Sequence, residues 1–216
     1  LKKDGIMTMI VPISLTSSDA LSGIHRLFLN NCDNIYVSSY AVRPQPVFAN
    51  AVVNTSIFSL RKTMKTCTRI HSTKMYRKGN NFNLQTLIDN LEFVEVKDFM
   101  LYGRIPKIGN NIERSILQKL FKYSKLGSYI QPTGAPIVYR FAGGRYFKVV
   151  TNYSNGSSAE RIIYFNNKIA NSIGCILSSS LSFWFYQIYS DNLNWKNYEI
   201  SEFRLPPLTD DNITRL

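Results

Sequence analysis

Phe48 stands at the mouth of a stiff turn, Arg43-Pro-Gln-Pro-Val-Phe48. Pro44 and Pro46 fix φ and press the residues before them into extended backbone. Behind the turn, Val52 to Leu60 is rich in β-branched residues and has the length of a strand. An aromatic presented on a turn and backed by a strand can offer its π face to a planar base, a contact worth roughly 1–3 kcal/mol. The same spacing also suits a core aromatic. Downstream, Arg61, Lys62, Lys65, Arg69, Lys74, Arg77 and Lys78 follow one another with no carboxylate between them. Such a run suits phosphate contacts, although each cation alone fits a solvated surface equally well. Lys62 and Lys65 are close enough in sequence to Phe48 to share its cleft.

The elements around these residues follow from the pattern. Asp4-Gly5 is a turn signal and Ile6–Val11 a nearly continuous apolar run. It reads as a strand buried on both faces of a parallel sheet. Ser17 or Ser18 can cap a helix whose apolar residues Leu21, Ile24, Leu27 and Phe28 recur at helical spacing. Ile35–Tyr40 reads as a strand, so the order is strand, helix, strand. The Val52–Leu60 strand is expected to pair with it as the terminal hairpin of the sheet. Cys67–Thr73 alternates weakly and suits an edge strand. Lys78–Asn83 is a loop.

Beyond it, Asn83 can cap a helix over Leu84–Leu91, Phe93–Val96 suits a strand, and Asn110 or Asn111 can cap a helix from Ile112 to Tyr123. Leu126–Gly134 reads as a strand and turn. Ile137–Phe141 and Tyr146–Val150 read as a hairpin around Ala142-Gly-Gly-Arg145. Ile162–Phe165 suits a strand, and Lys168 to Tyr189 one long buried helix. Phe183, Trp184, Phe185, Tyr186 and Cys175 are expected in its core.

Composition narrows the function classes. The chain has 216 residues, 44% hydrophobic and 19% charged, which is globular rather than disordered. Its net charge of +12 favours a polyanionic partner, and a solvated basic surface is the plain alternative. Residues 1–75 carry nine basic and three acidic side chains, so the positive charge is concentrated towards the start. The three cysteines, Cys32, Cys67 and Cys175, have no metal spacing and suit unpaired thiols in a reducing cytoplasm. His25 and His71 have no ligand partner at metal spacing, and Asp210-Asp211 reads as a solvated pair. The uncharged run Ile169–Ser190 is too polar for a membrane span. The opening Leu1-Lys2-Lys3 reads as the end of a helix and the whole as a fragment of a longer protein.

Leu1-Lys-Lys-Asp-Gly-Ile-Met-Thr-Met-Ile-Val-Pro12, a helix, a short strand and then Val47-Phe48 with Val52–Leu60 resemble, in order and spacing, the N6-adenine DNA methyltransferases of restriction–modification systems. The combined restriction–modification (type IIG) enzymes are the most similar subgroup. In that family the first segment follows the catalytic motif. The resemblance implies that Phe48 stacks on a flipped-out adenine. Ile169-Ala-Asn-Ser-Ile-Gly-Cys175, Ser182-Phe-Trp-Phe-Tyr-Gln-Ile-Tyr-Ser-Asp191 and Asn197-Tyr-Glu-Ile-Ser-Glu-Phe-Arg-Leu-Pro206 more loosely resemble the end of a target recognition domain.

The fold expected is therefore α/β: the C-terminal portion of a Rossmann-like methyltransferase sheet over 1–78, then an α+β target recognition domain over 79–216. Double-stranded DNA is the expected partner, with no membrane, and S-adenosylmethionine the cofactor of the full-length protein. Such an enzyme needs a Gly-rich cofactor loop and an Asn/Asp-Pro-Pro-aromatic motif, and base extrusion. Neither motif is here: Pro206-Pro207 is flanked by Leu205 and Leu208, and Gly143-Gly144 sits in the hairpin. No catalytic or metal residue is expected within these residues. Base-reading candidates in the second half are Arg140, Arg145, Lys148, Asn152 and Asn155. A non-catalytic DNA specificity subunit and a basic RNA-binding module remain as rivals, the first weakened by the strand–helix–strand start.

Overall fold

Thr55–Lys62 alternates half-buried and buried side chains, and its neighbours explain why. In the computed structural model, which describes residues 1–80, 82–142 and 150–209, a strand pairs with each of its edges. Ile6–Pro12 (β1) is followed by a short helix, Ser14–Ser17 (α1), and a longer one, Ser22–Asn31 (α2). Cys32–Tyr40 (β2) comes next, and Thr55–Lys62 (β3) then inserts between β1 and β2, antiparallel to both. Ile70–Tyr76 (β4) lies parallel to β2. After Leu84–Asp89 (α3), Val94–Glu95 (β5) closes the far edge of a mixed sheet ordered β1-β3-β2-β4-β5. The α/β class is thus observed.

β3 buries Ser56, Phe58 and Leu60, and Ser56 Oγ lies 3.4 Å from Thr16 Oγ1 of α1. Phe28 of α2 lies against Phe58 with ring centroids 5.1 Å apart. Burying a phenylalanine of this kind contributes about 1.5–3 kcal/mol. Ser18 caps the 3-10 turn that leads into α2, its hydroxyl accepting from the Ala20 amide at 3.3 Å. Asn83 caps α3 by accepting from the Thr86 amide.

Three expectations about this sheet change. Among the described residues β1 is an edge strand paired with β3 alone, and Ile6, Met9 and Ile10 are 70%, 48% and 58% exposed rather than buried on both faces. β3 is interior, because the chain returns into the gap between β1 and β2 instead of ending the sheet. β4 is interior too, because the two-residue β5 covers part of its outer edge.

The chain forms two compact units, Leu1–Leu117 and Gln118–Leu216, so residue 78 falls inside the first. Asn111–Leu120 (α4) runs through the division, capped by Asn110, whose side chain accepts from the Glu113 amide at 2.9 Å. In the second unit, Ser124–Lys125 (β6) is followed by a 3-10 turn over Leu126–Tyr129, where a strand was expected. Ala135–Arg140 (β7) pairs antiparallel with Val150–Thr151 (β8) and Glu160–Phe165 (β9). Asn197–Ser201 (α7) and Arg204–Leu205 (β10) end the unit, β10 pairing with β6.

The long helix expected before α7 is two, Ala170–Leu177 (α5) and Ser180–Tyr189 (α6). Ser179 interrupts it in extended backbone, and its hydroxyl accepts from the Ser182 amide at 3.3 Å. Serine competes with the helix by bonding nearby amides, and three serines stand together here. Phe185 and Tyr186 are core, whereas Phe183 is 42% exposed. Cys175 is exposed too, on the side of α5 away from buried Ile173 and Leu177.

Ser179→Ala separates one helix from two. As an N-cap loss it lowers stability by about 1 kcal/mol in chemical denaturation. A neutral or stabilising effect, as alanine would have inside a continuous helix, contradicts the break.

Candidate nucleic-acid interface

β2 and β4 run parallel and end on Tyr40 and Tyr76. In open α/β sheets, ligands bind outside the carboxyl ends of parallel strands. The Phe48 turn sits at this end. Ala41 donates its amide to the Tyr76 carbonyl at 2.8 Å, and Val42 donates to Asn54 Oδ1 at 2.8 Å. Arg77 Nη1 donates to the Arg43 carbonyl at 3.1 Å, and Gln45 bridges to Lys78. These bonds pin the 41–54 loop at both ends and across its middle.

Phe48 is half-buried, between the core and the exposed alternatives. Its ring meets Tyr40 nearly edge-on, centroids 5.3 Å apart at 77°. Such a T-shaped pair is worth about 0.5–1.5 kcal/mol beyond burial and fixes the ring's direction. Tyr40 is itself buried and donates its hydroxyl to Ser38 Oγ at 2.9 Å. Burial raises the Tyr40 pKa above its ordinary value, with the Ser38 bond acting the other way. Tyr40 therefore stays a neutral apolar wall behind Phe48.

Cations share this end. Arg43, Lys74 and Arg77 are exposed. Lys74 Nζ lies 5.6 Å from the Tyr76 ring centre, and Lys78 Nζ 5.7 Å from that of Phe82. Arg43, Tyr40, Tyr76 and Phe82 were not singled out in the sequence. Tyr40 and Tyr76 each close a strand just before a turn with cations, a signal that would have found them.

The basic run does not stay together. Lys74, Arg77 and Lys78 stand at the end of the sheet that carries the Phe48 turn, while Arg61, Lys62, Lys65 and Arg69 stand at the opposite end. β3 spans eight residues between the two, about 24 Å at roughly 3.4 Å per residue. Lys62 and Lys65 therefore do not share the Phe48 cleft: proximity in sequence was undone by an intervening extended strand. At that far end Asp33 accepts from Thr68 Oγ1 at 2.7 Å and from the Thr68 amide at 3.1 Å. These bonds hold the Asp33 carboxyl below its ordinary pKa.

In the second unit, Arg140 is exposed and folds back on its own turn, Nε donating to the Ala142 carbonyl at 3.2 Å. Asn152 and Asn155 are exposed, the Asn155 amide donating to the Glu160 carboxylate. Arg145 and Lys148 lie outside the described residues, as do Gly143 and Gly144 of the expected hairpin, residues 146–149 of the strand expected over Tyr146–Val150, and Asp210-Asp211. Arg161 stacks over Phe141, its guanidinium carbon 3.9 Å from the ring centre. Arg161 lies on β9 opposite Tyr139 of β7, one residue on from the Arg140–Glu160 pair.

The residues present do not fit S-adenosylmethionine. β1 runs into Pro12-Ile13, β2 into Ala41-Val42-Arg43 and β3 into Thr63-Met64, so none of these strands opens into a glycine-rich turn. Among the described residues no group of acidic, histidine or cysteine side chains could hold a metal ion. His71 instead stacks on Tyr36 at 4.7 Å, and His25 is buried with Nε2 bonded to the Leu15 carbonyl. No helix among the described residues is long and apolar enough to cross a membrane.

No family model and no curated protein matches this sequence. A solved structure of an ATP-dependent Type ISP restriction-modification enzyme, LlaBIII, bound to DNA is similar at a TM-score of 0.35 and 15% identity. The match covers 65% of this chain and 10% of that one. A TM-score of this size does not establish a shared fold.

Two outcomes follow from the geometry. Asn54→Leu strands the Val42 amide, speeding its hydrogen exchange and costing about 1–3 kcal/mol. Unchanged exchange at Val42 contradicts the clamp. Because the Asp33 pKa is lowered in the fold, its stabilisation is present above the ordinary carboxyl pKa and lost as pH falls through the lowered one. Thr68→Val moves the Asp33 titration, followed by NMR, back up towards the ordinary value.

Proposed function

We propose that this chain is the DNA-reading end of a site-specific adenine-N6 DNA methyltransferase of a restriction–modification system, similar to the type IIG enzymes. Residues 1–78 supply strands β1 to β4 of the catalytic sheet, and residues 79–216, which add its two-residue edge strand β5, act as the target recognition domain. The observation that carries the proposal is the half-buried Phe48, aimed by Tyr40, on a turn that carries Arg43 and is tied to Arg77 and Lys78 at the carboxyl ends of two parallel strands. Among the described residues no strand pairs with the outer edge of β1, whose Ile6, Met9 and Ile10 are exposed, and this supports it as well. An exposed apolar edge presents unpaired backbone groups and invites another strand, as a larger catalytic sheet would supply.

In this reading the target adenine leaves the duplex and stacks on Phe48, while the nearby cations hold the flanking phosphates. Unstacking a base costs a few kcal/mol, and an aromatic π face returns roughly 1–3 kcal/mol of it. Arg140, Arg145, Lys148 and Arg161 are the candidates for base and phosphate contacts in the recognition domain. S-adenosylmethionine and the residues that position the adenine amino group belong to other parts of the whole protein, which acts in the cytoplasm.

Binding of this chain to duplexes with 2-aminopurine at a mismatch tests the stacking role. Phe48→Ala weakens binding about ten-fold, which is about 1.4 kcal/mol and within the stacking range. It also reduces the fluorescence change. Identical responses from both proteins remove the role given to Phe48. For the whole protein, labelled methyl transfer from S-adenosylmethionine to adenine N6 in duplex DNA is the decisive assay, and no transfer to any duplex rejects the enzyme.

A further inference from the structure

The cations at the amino ends of β2 and β4 form a surface of their own. Lys2 and Lys3 precede β1, Arg61 and Lys62 end β3, and Lys65 and Arg69 lie on the loop into β4. Backbone bonds draw these segments together. The Asp4 amide donates to the Lys62 carbonyl at 2.7 Å, and the Lys62 amide to the Gly5 carbonyl at 3.0 Å. The Ile35 amide donates to the Arg69 carbonyl at 3.1 Å. The carboxylates within this set are Asp4 and Asp33, and Asp33 is already engaged by Thr68 and Asn34. Among the described residues no ion pair joins any of the six cations to a carboxylate. Lys62 Nζ donates instead to the Leu1 carbonyl at 2.9 Å.

β5 and the turn after it add Lys97 against Glu95 and Asp98 beside the amino end of β4, where the Val96 amide donates to the Ile70 carbonyl at 2.8 Å. The cations still outnumber the carboxylates, making a positive field that a polyanion answers. This surface faces the opposite way along the strands from Phe48, about 24 Å off at the strand rise of roughly 3.4 Å per residue. A straight duplex lying across the Phe48 end leaves it uncovered. We propose that it is a second duplex-docking surface, so that the chain holds two DNA segments at once, one at each end of the sheet. The inference rests on the DNA-binding reading above and adds a second, sequence-independent phosphate site to it.

The test uses the 216-residue chain and a duplex of about one helical turn, with stoichiometry read by analytical ultracentrifugation and affinity between about 50 and 200 mM salt. The wild type binds two duplexes. Lys62→Glu, Lys65→Glu and Arg69→Glu together reduce this to one, and leave the Phe48-dependent 2-aminopurine response intact. Arg77→Glu with Lys78→Glu also leaves one duplex, but abolishes that response. Each phosphate contact adds about 0.9 to the salt slope, so the triple variant loses a slope of about 2 to 3. Because Lys62 also bonds Leu1, Lys65→Gln with Arg69→Gln serves as a milder variant, with a weakened second site and an unchanged melting curve.

One duplex in the wild type, unaffected by the far-end variants, overturns the proposal and leaves the Phe48 reading standing, as a surface for an acidic protein would. One duplex whose salt slope falls in the far-end variants shows a single DNA wrapped past both ends and overturns it too. No DNA binding by the wild type overturns the DNA reading itself.

Discussion

β3 hydrogen-bonds on both edges, to β1 on one side and β2 on the other, and most of the first unit hangs on that double pairing. One face of the strand buries Ser56, Phe58 and Leu60, with Phe58 against Phe28 of α2 and Ser56 beside Thr16 of α1. Its entry is fixed by Asn54, whose carbonyl accepts from the Ile13 amide and whose side chain accepts from Val42. The same residue therefore ties β1's exit, β2's exit and β3's start. Register matters here, because a one-residue slip would turn Phe58 and Leu60 to the opposite face.

That insertion also builds the Phe48 turn. The chain must leave β2 and return antiparallel beside it, and the excursion 41–54 is the result. Phe48 projects from it against a wall that the sheet supplies, Tyr40 behind and Tyr76 beside. An aromatic held in one direction by packing loses little further freedom on meeting a flat partner, which is the value of preorganisation in a binding site.

The strand that positions Phe48 also divides the charge. An extended segment separates its two ends by its full length, so cations contiguous in sequence become two surfaces facing apart. Those at the Phe48 end keep company with half-buried rings, Lys74 with Tyr76 and Lys78 with Phe82. Those at the far end gather Lys2 and Lys3 from the start of the chain, through the pairing of Gly5 with Lys62.

Much of this was legible in the sequence. Pro44 and Pro46 marked the turn, β-branched residues marked β3, and Ser18, Asn83 and Asn110 marked their caps. These are local properties, set by a few neighbouring residues. The break at Ser179 is local too, but a long apolar run masked it. Whether β1 is buried or an edge, whether β3 is terminal or interior, and which cations stand with Phe48 depend on strand order. Strand order is chosen by long-range pairing and burial, and short-range patterns of residue type do not encode it.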